Sequence, residues 1–382
     1  MTTVSLMGVL VVGQMYVTIP LMPELAAAWG VRTESAALST TAFAFAHAAG
    51  SLVSGPLATR WGRRTVMVMS VLAMTVVTAL LPLVTSLGTG VALRALQGLF
   101  AGSFIPMSYA YLHARMAPHR VSLALTVVSA CMGATVVIGQ AEAQLVASLL
   151  GWKWVFWGTV PLLLAGAAVS WRVLLPGERG DAGTTDTGTG TGTSTGSGSG
   201  LRSVLGGRMI TLYLVIMVGA ASLTAAYTGV QLHGPAGMAD DGPALLALRA
   251  SALPALLIAV LLAPALSRLS APRRAGGALV VTTAAMLAAA GGADSALALG
   301  AALFAFMAGF STLGPALIQS VGARAGAAQT TAIAVYGFTL NVGAGAGAQL
   351  AVGFSDFSSL ALFLAAALAV ATAGVLRAAR TT

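Results

Sequence analysis

The sequence predicts an all-α membrane protein with twelve transmembrane helices in two six-helix, pseudo-symmetric halves. Hydrophobic residues make up 57% of the 382 residues, and only 8% of the residues are charged. Soluble globular domains carry about 25% charged residues. The apolar residues are gathered into runs of about 20, the length that crosses a bilayer as a helix. A surface with so few charges requires lipid around most of the chain.

The apolar runs fall into two groups of six. The predicted N-terminal half, residues 1–176, holds spans at about 4–22, 35–58, 65–86, 89–112, 120–149 and 153–175. The predicted C-terminal half, residues 204–382, holds spans at about 208–231, 244–267, 275–290, 296–319, 327–352 and 357–376. Between them, residues 177–203 are a Gly/Thr/Ser tract. Such a tract has no apolar face to bury, so it is predicted to be a flexible linker.

The positions of the basic residues predict the orientation. With a cytoplasmic N-terminus, 15 of the 19 Lys and Arg residues lie in cytoplasmic segments. Only Arg32 and Lys153 lie in outer loops, and Arg94 and Arg249 fall inside spans. Basic residues favour the cytoplasmic side, so both termini and the linker are predicted there, in a multi-pass protein of the cell (inner) membrane. The cytoplasmic set is Arg60, Arg63, Arg64, Arg115, Arg120, Arg172, Arg179, Arg202, Arg208, Arg268, Arg273, Arg274, Arg324, Arg377 and Arg380.

Short segments repeat between the halves. GPLATR (Gly55–Arg60) matches APALSR (Ala263–Arg268), and each ends the second span of its half. AEAQL (Ala141–Leu145) matches AGAQL (Ala346–Leu350), and each lies in the fifth span of its half. Two parallel halves are typical of alternating access, with a substrate site at their junction near the bilayer midplane.

Three motifs carry a resemblance to a known family. The loop GPLATRWGRR resembles the signature loop G-x-x-x-D-R-x-G-R-R of the major facilitator superfamily, although Thr59 stands in place of the Asp that helps to hold the cytoplasmic side shut. RALQGLFAG in the fourth span resembles the R-x-x-x-G motif of the family. WKWVFWGTVP resembles the start of the sixth helix in its drug:proton antiporter branch. The matching loop residues are Gly55, Arg60, Gly62, Arg63 and Arg64.

Two features of that branch are missing. The antiporter motif G-P-x-x-G-G should fall on residues 139–144, where only Gly139 matches. The acidic residue that many such antiporters carry in the first helix is replaced by Gln14. The pattern is nevertheless closest to the drug:proton antiporters among the branches of the family.

The resemblance implies a secondary active transporter that works by alternating access and exports a small organic molecule by proton antiport. Proton-coupled uptake and facilitated diffusion are the alternatives within transport. A membrane enzyme or a non-transporting membrane sensor is the alternative of another class, but no constellation of reactive residues supports an enzyme. The expected partners are a small-molecule substrate, protons and the lipid bilayer, without nucleic acid. We expect a monomer with no cofactor and no metal.

Ionisable residues inside the spans are the first candidates for a site, because a charge at membrane depth costs at least about 2.5 kcal/mol. Glu142 either carries the coupling proton or forms a permanent ion pair. Arg94 is its favoured partner, whereas Arg249 is expected to reach the outer headgroups. His47, in the middle of the second span, either relays protons or is a hydrogen-bonded packing residue.

Helical geometry assigns Glu142 to its own side of the fifth span. At about 100° per residue, it points about 110° away from the face shared by Gly139, Gln140, Ala143 and Gln144. In the family that face meets the other half. The first, fourth, seventh and tenth helices line the cavity in this fold, and closely packed helices are predicted at Gly343, Gly345 and Gly347. Candidate cavity residues are Arg94, Gln14, Tyr16, Gln97, Tyr213, Tyr227, Gln319, Tyr336 and Asn341.

Overall fold

Long apolar runs form helices throughout the part of the chain that the structure describes, because a helix satisfies its own backbone hydrogen bonds. A computed structural model describes residues 2–115, 118–174, 206–234, 242–266, 268–325 and 328–380. Within these ranges, the side chains of residues 112–133 and of a few others are not described. The predicted linker at 177–203 lies outside the described residues.

The described residues form α-helices, one 3-10 turn and no strand, and every predicted span overlaps a helix. The first set of helices is α1 (Thr2–Gly13), α2 (Met22–Trp29), α3 (Thr33–Ala36), α4 (Leu38–Trp61), α5 (Arg63–Leu80), α6 (Leu87–Gly102), α7 (Phe104–Arg115), α8 (Pro118–Leu150) and α9 (Trp152–Val173). The second set is α10 (Gly207–His233), α11 (Gly242–Ala250), α12 (Leu253–Leu266), α13 (Ala271–Gly291), α14 (Ala296–Ala325), α15 (Gln329–Val352) and α16 (Phe357–Arg380).

Seven of the described helical segments are long and apolar enough to cross a membrane unaided. The remaining predicted spans correspond to helices that are shorter, interrupted or only partly described. The seven are Thr33–Ala58, Arg63–Leu83, Trp152–Val173, Gly207–His233, Ala271–Gly291, Ala296–Ala325 and Phe357–Arg377.

The first, fourth and eighth predicted spans are each interrupted in the structure. After α1 the chain turns through residues 14–21, where the amide of Met15 donates to the carbonyl of Val12 at 3.0 Å and that of Tyr16 donates to Gly13 at 2.9 Å. Hydrogen bonds from residue i to residue i−3 replace the i to i−4 bonds of an α-helix here. The backbone carbonyls at the end of this segment are thereby available as acceptors for side chains. The other two interruptions lie at Ser103 and at residues 251–252.

The ninth span is longer than predicted. It was expected at 275–290, but α13 covers Ala271–Gly291. Ser270 stands in extended conformation immediately before it, and a proline occupies its first turn. Proline is favoured there because its fixed φ suits a helix start and its missing N–H has no partner to lose. The helix therefore begins within the basic loop rather than after it.

The signature loop turns at Gly62, which has a φ of 81° and separates α4 from α5. Few residues other than glycine adopt this backbone conformation. The turn directs Arg64 onto α9, where its guanidinium donates to the carbonyl of Trp171 and lies 4.1 Å from the centre of the indole ring. The loop thereby ties the start of α5 to the end of α9.

Each set has its own packing pattern. In the first set, α1 packs along α8 and α9, α5 along α6 and α9, and α4 along α6. In the second set, α10 packs along α15 and α16, and α13 along α14 and α16. Between the sets, α4 packs on α15, and α8 packs on α11 and α12.

Glycines permit the closest helix contacts, as predicted for α15. A Cβ atom on Gly343 would lie 2.3 Å from the carbonyl oxygen of Met217, and one on Gly347 would lie 2.2 Å from that of Ala221. One on Gly345 would lie 3.0 Å from the Cβ of Ala44, across the boundary between the sets.

Contacts between helix termini divide the bundle into two ends. The arginine-rich end holds the start of α5 and the end of α9, joined by Arg64 and Trp171. The arginine-poor end holds the end of α5 and the start of α9, where the indole N–H of Trp157 donates to the carbonyl of Ala79 at 3.2 Å. It also holds the start of α4 and the end of α15, where the amide of Gln349 donates to the hydroxyl of Thr41 at 3.0 Å.

Candidate functional site

Arg94 is the centre of a buried polar network in the first set. It lies on α6 with no exposed surface. Its guanidinium donates to the side-chain oxygen of Gln97, to the carbonyl of Met15 at 3.3 Å and to the carbonyl of Ser39 at 3.4 Å. Its charge also lies 4.5 Å from the centre of the Phe43 ring, a favourable cation–π distance. The interrupted first span supplies the Met15 carbonyl, because residues 14–21 are not helical.

The network continues through glutamine and threonine side chains. The amide of Gln97 donates to the side-chain oxygen of Gln14 at 3.3 Å and to the hydroxyl of Thr78 at 2.8 Å. The amide of Gln14 in turn donates to the hydroxyl of Thr159 at 3.5 Å. Three predicted cavity residues, Arg94, Gln97 and Gln14, are thus brought together. Sequence reasoning missed the threonines, because a threonine inside an apolar run is usually satisfied by its own helix.

The expected ion pair between Arg94 and Glu142 does not form, which corrects that hypothesis. Arg94 is bonded to neutral oxygens, and the ion pair found among the described residues joins Arg32 and Glu34 at 3.3 Å. Glu142 has an exposed side chain on α8. Its predicted direction, away from the face that includes Gln144, explains this exposure.

Arg249 does not reach the outer headgroups, which corrects a second expectation. It lies on α11 with no exposed surface. Its guanidinium donates to the side-chain oxygens of Gln144 on α8 and Gln231 on α10. The prediction that the Gln144 face of the fifth span meets the other half is confirmed at this contact. Gln231 was missed, although a glutamine at the end of an apolar run is itself a signal.

His47 is buried in α4, and neither ring nitrogen has a hydrogen-bond partner among the described residues. Its ring stacks on the ring of Phe43 at a centroid distance of 6.0 Å. The same Phe43 ring makes the cation–π contact with Arg94. A Cβ atom on Gly102 of α6 would lie 2.2 Å from the carbonyl oxygen of His47. The backbone of His47 is thus packed closely against α6, and its imidazole stacks on Phe43. Among the described residues, the imidazole lacks the hydrogen bond expected of a purely structural histidine.

The other cavity candidates lie in separate places. Tyr16, Tyr213 and Tyr227 are buried, and the hydroxyls of the last two have no hydrogen-bond partner among the described residues. The hydroxyl of Tyr336 donates to the carbonyl of Gly314 at 3.2 Å. The amide of Asn341 donates to its own helix, at the carbonyl of Gly337. Gln319 is exposed and accepts a hydrogen bond from Arg274 at the arginine-rich end, away from the Arg94 network.

The family follows from a comparison with known proteins. Residues 4–348 match the model of the Major Facilitator Superfamily, which is most of the chain. The chain belongs to this superfamily. Membership places the chain in a superfamily of membrane transporters. The resemblance predicted from the signature loop is confirmed.

Several export proteins of the superfamily are similar to part of the chain. It is 26% identical over 153 residues to the multidrug export protein EmrB of Haemophilus influenzae, covering 40% of this chain and 30% of that protein. It is 30% identical over 142 residues to the tetracenomycin C resistance and export protein of Streptomyces glaucescens, covering 37% and 26%. The chain therefore matches less than a third of the length of these relatives. The predicted likeness to the drug-export branch agrees with them.

A solved structure shares the fold over almost the whole length. The human organic anion transporter MFSD10 (TETRAN) superposes with a TM-score of 0.69 at 15% identity, covering 98% of both chains. At this identity the likeness establishes the fold of the superfamily and nothing about the transported molecule.

Proposed function

We propose that this superfamily member exports a small organic molecule in exchange for protons by alternating access. Its similarity to a multidrug export protein and to a tetracenomycin C resistance and export protein supports export rather than uptake. The observation that carries the mechanism is the distribution of contacts between the two sets of helices. Three side-chain hydrogen bonds that join the two sets, at Thr41–Gly345, Thr41–Gln349 and Gln144–Arg249, lie toward the arginine-poor end.

Twelve spans in two pseudo-symmetric halves form the proposed architecture. The halves are residues 1–176 and 204–382, joined by the linker at 177–203. The repeated packing supports this division. In the first set, the helix of the first span packs on those of the fifth and sixth, and in the second set the seventh packs on the eleventh and twelfth. The third span packs on the sixth as the ninth packs on the twelfth.

The arginine-rich end is proposed to face the cytoplasm, with both termini, in the cell (inner) membrane. In this orientation the closed end is the outer end. At the arginine-rich end, the bonds Arg64–Trp171 and Arg274–Gln319 each lie within one set, whereas the bonds that join the sets at Thr41 and Arg249 lie toward the opposite end. The conformation is therefore proposed to be inward-facing, the form that accepts a molecule for export. We propose that the protein acts as a monomer.

His47 is the proton-coupling candidate that the geometry supports better. A coupling group must bind a proton in one conformation and release it in another, so it has to lie in the interior, where its surroundings change. His47 is buried beside the Arg94 network and has no hydrogen-bond partner among the described residues. Glu142 has an exposed side chain on α8 and forms no ion pair among the described residues.

Transport in proteoliposomes with an imposed pH gradient tests this function, using a panel of small organic molecules. We expect the gradient to drive accumulation of at least one of them. His47→Gln should abolish gradient-driven accumulation and retain gradient-independent exchange, because Gln preserves a polar side chain but does not titrate in this range. Glu142→Gln is the matched control and should retain gradient-driven accumulation.

Three other outcomes would contradict the coupling residue, the proton coupling and the transport activity in turn. Loss of gradient-driven accumulation in Glu142→Gln, with normal accumulation in His47→Gln, would make Glu142 the coupling residue. Accumulation that follows the substrate gradient alone would indicate facilitated diffusion, in keeping with Gln14 and Thr59 at positions where the family carries acids. Absence of flux for the whole panel in well-folded protein would favour a non-transporting sensor.

A further inference from the structure

Arg249 is the charged side chain that joins the two sets of helices at the closed end. It lies on α11 of the second set, has no exposed surface and donates to Gln144 of the first set and Gln231 of its own set. Its Nε atom has no hydrogen-bond partner among the described residues. A buried guanidinium bonded only to neutral amides is costly, because these bonds replace its hydration incompletely.

Opening of the arginine-poor end breaks one of the two hydrogen bonds of Arg249 and leaves the other intact. Gln231 lies in the same set as Arg249, so its bond persists when the two sets separate. Gln144 lies in the opposite set, so its bond breaks and water takes its place. Glu24, on α2 of the first set, interacts electrostatically with Arg249, and one of its carboxylate oxygens is buried without a hydrogen-bond partner. Separation therefore removes a neutral acceptor and a compensating charge together, and hydrates the cation.

The second contact at this end has no charge to hydrate. The hydroxyl of Thr41 on α4 donates to the carbonyl of Gly345 on α15 at 2.9 Å and accepts from Gln349. Its loss exposes neutral groups, which exchange one hydrogen bond for another with water. The difference in hydration between the closed and open forms is therefore concentrated at Arg249.

We propose that Arg249 sets the balance between the closed and open forms of the arginine-poor end, with Gln144 as its partner across the interface. The bond to Gln144 and the attraction to Glu24 stabilise closure, and hydration of the guanidinium stabilises opening. Arg249 thus keeps the two forms close enough in free energy to exchange during transport. This inference rests on the alternating access of the proposed function.

The two partners of the bond should act in opposite directions. Gln144→Leu leaves the cation buried without its acceptor, so the open-to-closed ratio should rise by at least about tenfold, the equivalent of one lost hydrogen bond to a charged group. Arg249→Met keeps the volume and removes the buried charge, so the ratio should fall by at least about tenfold, as apolar replacements of buried ionic groups favour the buried form. Gln140→Leu is the matched control, because Gln140 is buried on α8 but donates only to Val136 of its own helix.

Pulsed electron–electron double resonance on the full chain in nanodiscs measures this ratio. Spin labels at Thr85→Cys and Asp294→Cys, exposed loop positions at the arginine-poor end in different sets, report its opening. Labels at Val173→Cys and Ser270→Cys, exposed at the arginine-rich end, report the complementary movement. The natural Cys131 is replaced by Ala in every variant.

At the arginine-poor end, we expect the distance distribution to shift toward the open form in Gln144→Leu and toward the closed form in Arg249→Met. The labels at the arginine-rich end should show the reverse shifts, and Gln140→Leu should show none. Unchanged distances in both variants, or shifts in the same direction, would overturn the role of Arg249, whatever the variants do to thermal stability. Arg249→Gln provides a second test if Arg249→Met fails to fold, since it also removes the buried charge and should likewise lower the open-to-closed ratio. A wild-type protein with one fixed distance at each end, unchanged by every variant, would contradict alternating access as well.

Discussion

Arg94 shows how a positive charge is accommodated in this interior without a carboxylate. Its hydrogen bonds go to the carbonyls of Met15 and Ser39 and to the side chain of Gln97, and Phe43 covers its face. Oriented dipoles take the place of the ion pair expected with Glu142. The arrangement depends on the interrupted first span, since a continuous helix would have used the Met15 carbonyl itself.

Double-mutant cycles on the free energy of unfolding compare Gln97 and Glu142 as partners of Arg94. The coupling between Arg94→Gln and Gln97→Leu should be about 1.5–3 kcal/mol, the value of a hydrogen bond to a charged group. The coupling between Arg94→Gln and Glu142→Gln should stay within about 0.5 kcal/mol, as for residues that share no contact. Denaturant unfolding of all variants in the same detergent measures both. A larger coupling with Glu142 than with Gln97 would restore the ion-pair hypothesis.

Gly62 is the residue of the signature loop that the backbone requires to be glycine. Its φ of 81° with a ψ of 148° is essentially restricted to glycine, so Gly62→Ala should lower the stability by about 1–3 kcal/mol. Gly55→Ala is the matched control in the same loop motif. Gly55 is helical with open space at its Cβ position, so alanine there should be neutral or stabilising by up to about 1 kcal/mol.

Thermal unfolding of the two glycine variants decides between backbone strain and a general requirement for small residues. Equal losses for Gly62→Ala and Gly55→Ala would contradict the conformational explanation. Transport is a separate readout here, because Gly55 belongs to the family motif and its substitution can affect function without affecting stability.

At the scale of helices, the sequence predicted where they occur better than where they break. Every predicted apolar run of membrane length overlaps a helix among the described residues, since only a helix satisfies its backbone in lipid. The interruptions at residues 14–21 and 251–252 leave the composition of those runs unchanged, so hydropathy alone does not show them. The ninth span was predicted too short because its first turn is basic and only its proline marks the start.

The candidate site was likewise predicted in part. Arg94, Gln97 and Gln14 were singled out as polar groups in apolar runs, and the structure brings them together. Their neutral partners were not predicted, since backbone carbonyls and threonines do not stand out in a sequence. The burial of Arg249 was missed for another reason. A single residue near the end of a span reaches either headgroups or a partner helix, and the choice depends on tertiary packing.

Close packing between α4 and α6 leads to a prediction at this scale. A Cβ atom on Gly98 would lie 2.2 Å from the carbonyl oxygen of Phe43, so Gly98→Ala forces two backbones apart. We expect a loss of about 1–3 kcal/mol, or failure to fold, because a packed helix pair accommodates added volume poorly. Gly88→Ala on the same helix has open space at its Cβ position and should be neutral or stabilising. Size-exclusion profiles and thermal unfolding of both variants measure the difference, and equal behaviour would show that α4 and α6 separate easily.

At the scale of the whole molecule, charge asymmetry and contact asymmetry coincide. The signature-loop arginines and their C-terminal counterparts gather at one end, where Arg64 and Arg274 form hydrogen bonds within their own sets. The hydrogen bonds between the sets lie toward the other end. The described arginines of the arginine-rich end all keep some exposed surface, so opening of that end would hydrate no fully buried charge. A buried arginine at the opposite end does change its hydration, which is why a single residue can influence that side.

Site-directed labelling tests the orientation on which this account depends. In a variant with Cys131 replaced by Ala, a cysteine at Gly190 in the proposed linker should be cytoplasmic, and one at Thr85 in an exposed loop of the arginine-poor end should be external. A membrane-impermeant maleimide added to intact cells should therefore label Thr85→Cys within minutes, whereas Gly190→Cys should be labelled only after the membrane is permeabilised. The physical reason is the strong excess of arginine on one side, because translocating those segments across the membrane is disfavoured during insertion. External labelling of Gly190→Cys with protection of Thr85→Cys would invert the topology and would make the observed conformation outward-facing, the form that releases an exported molecule.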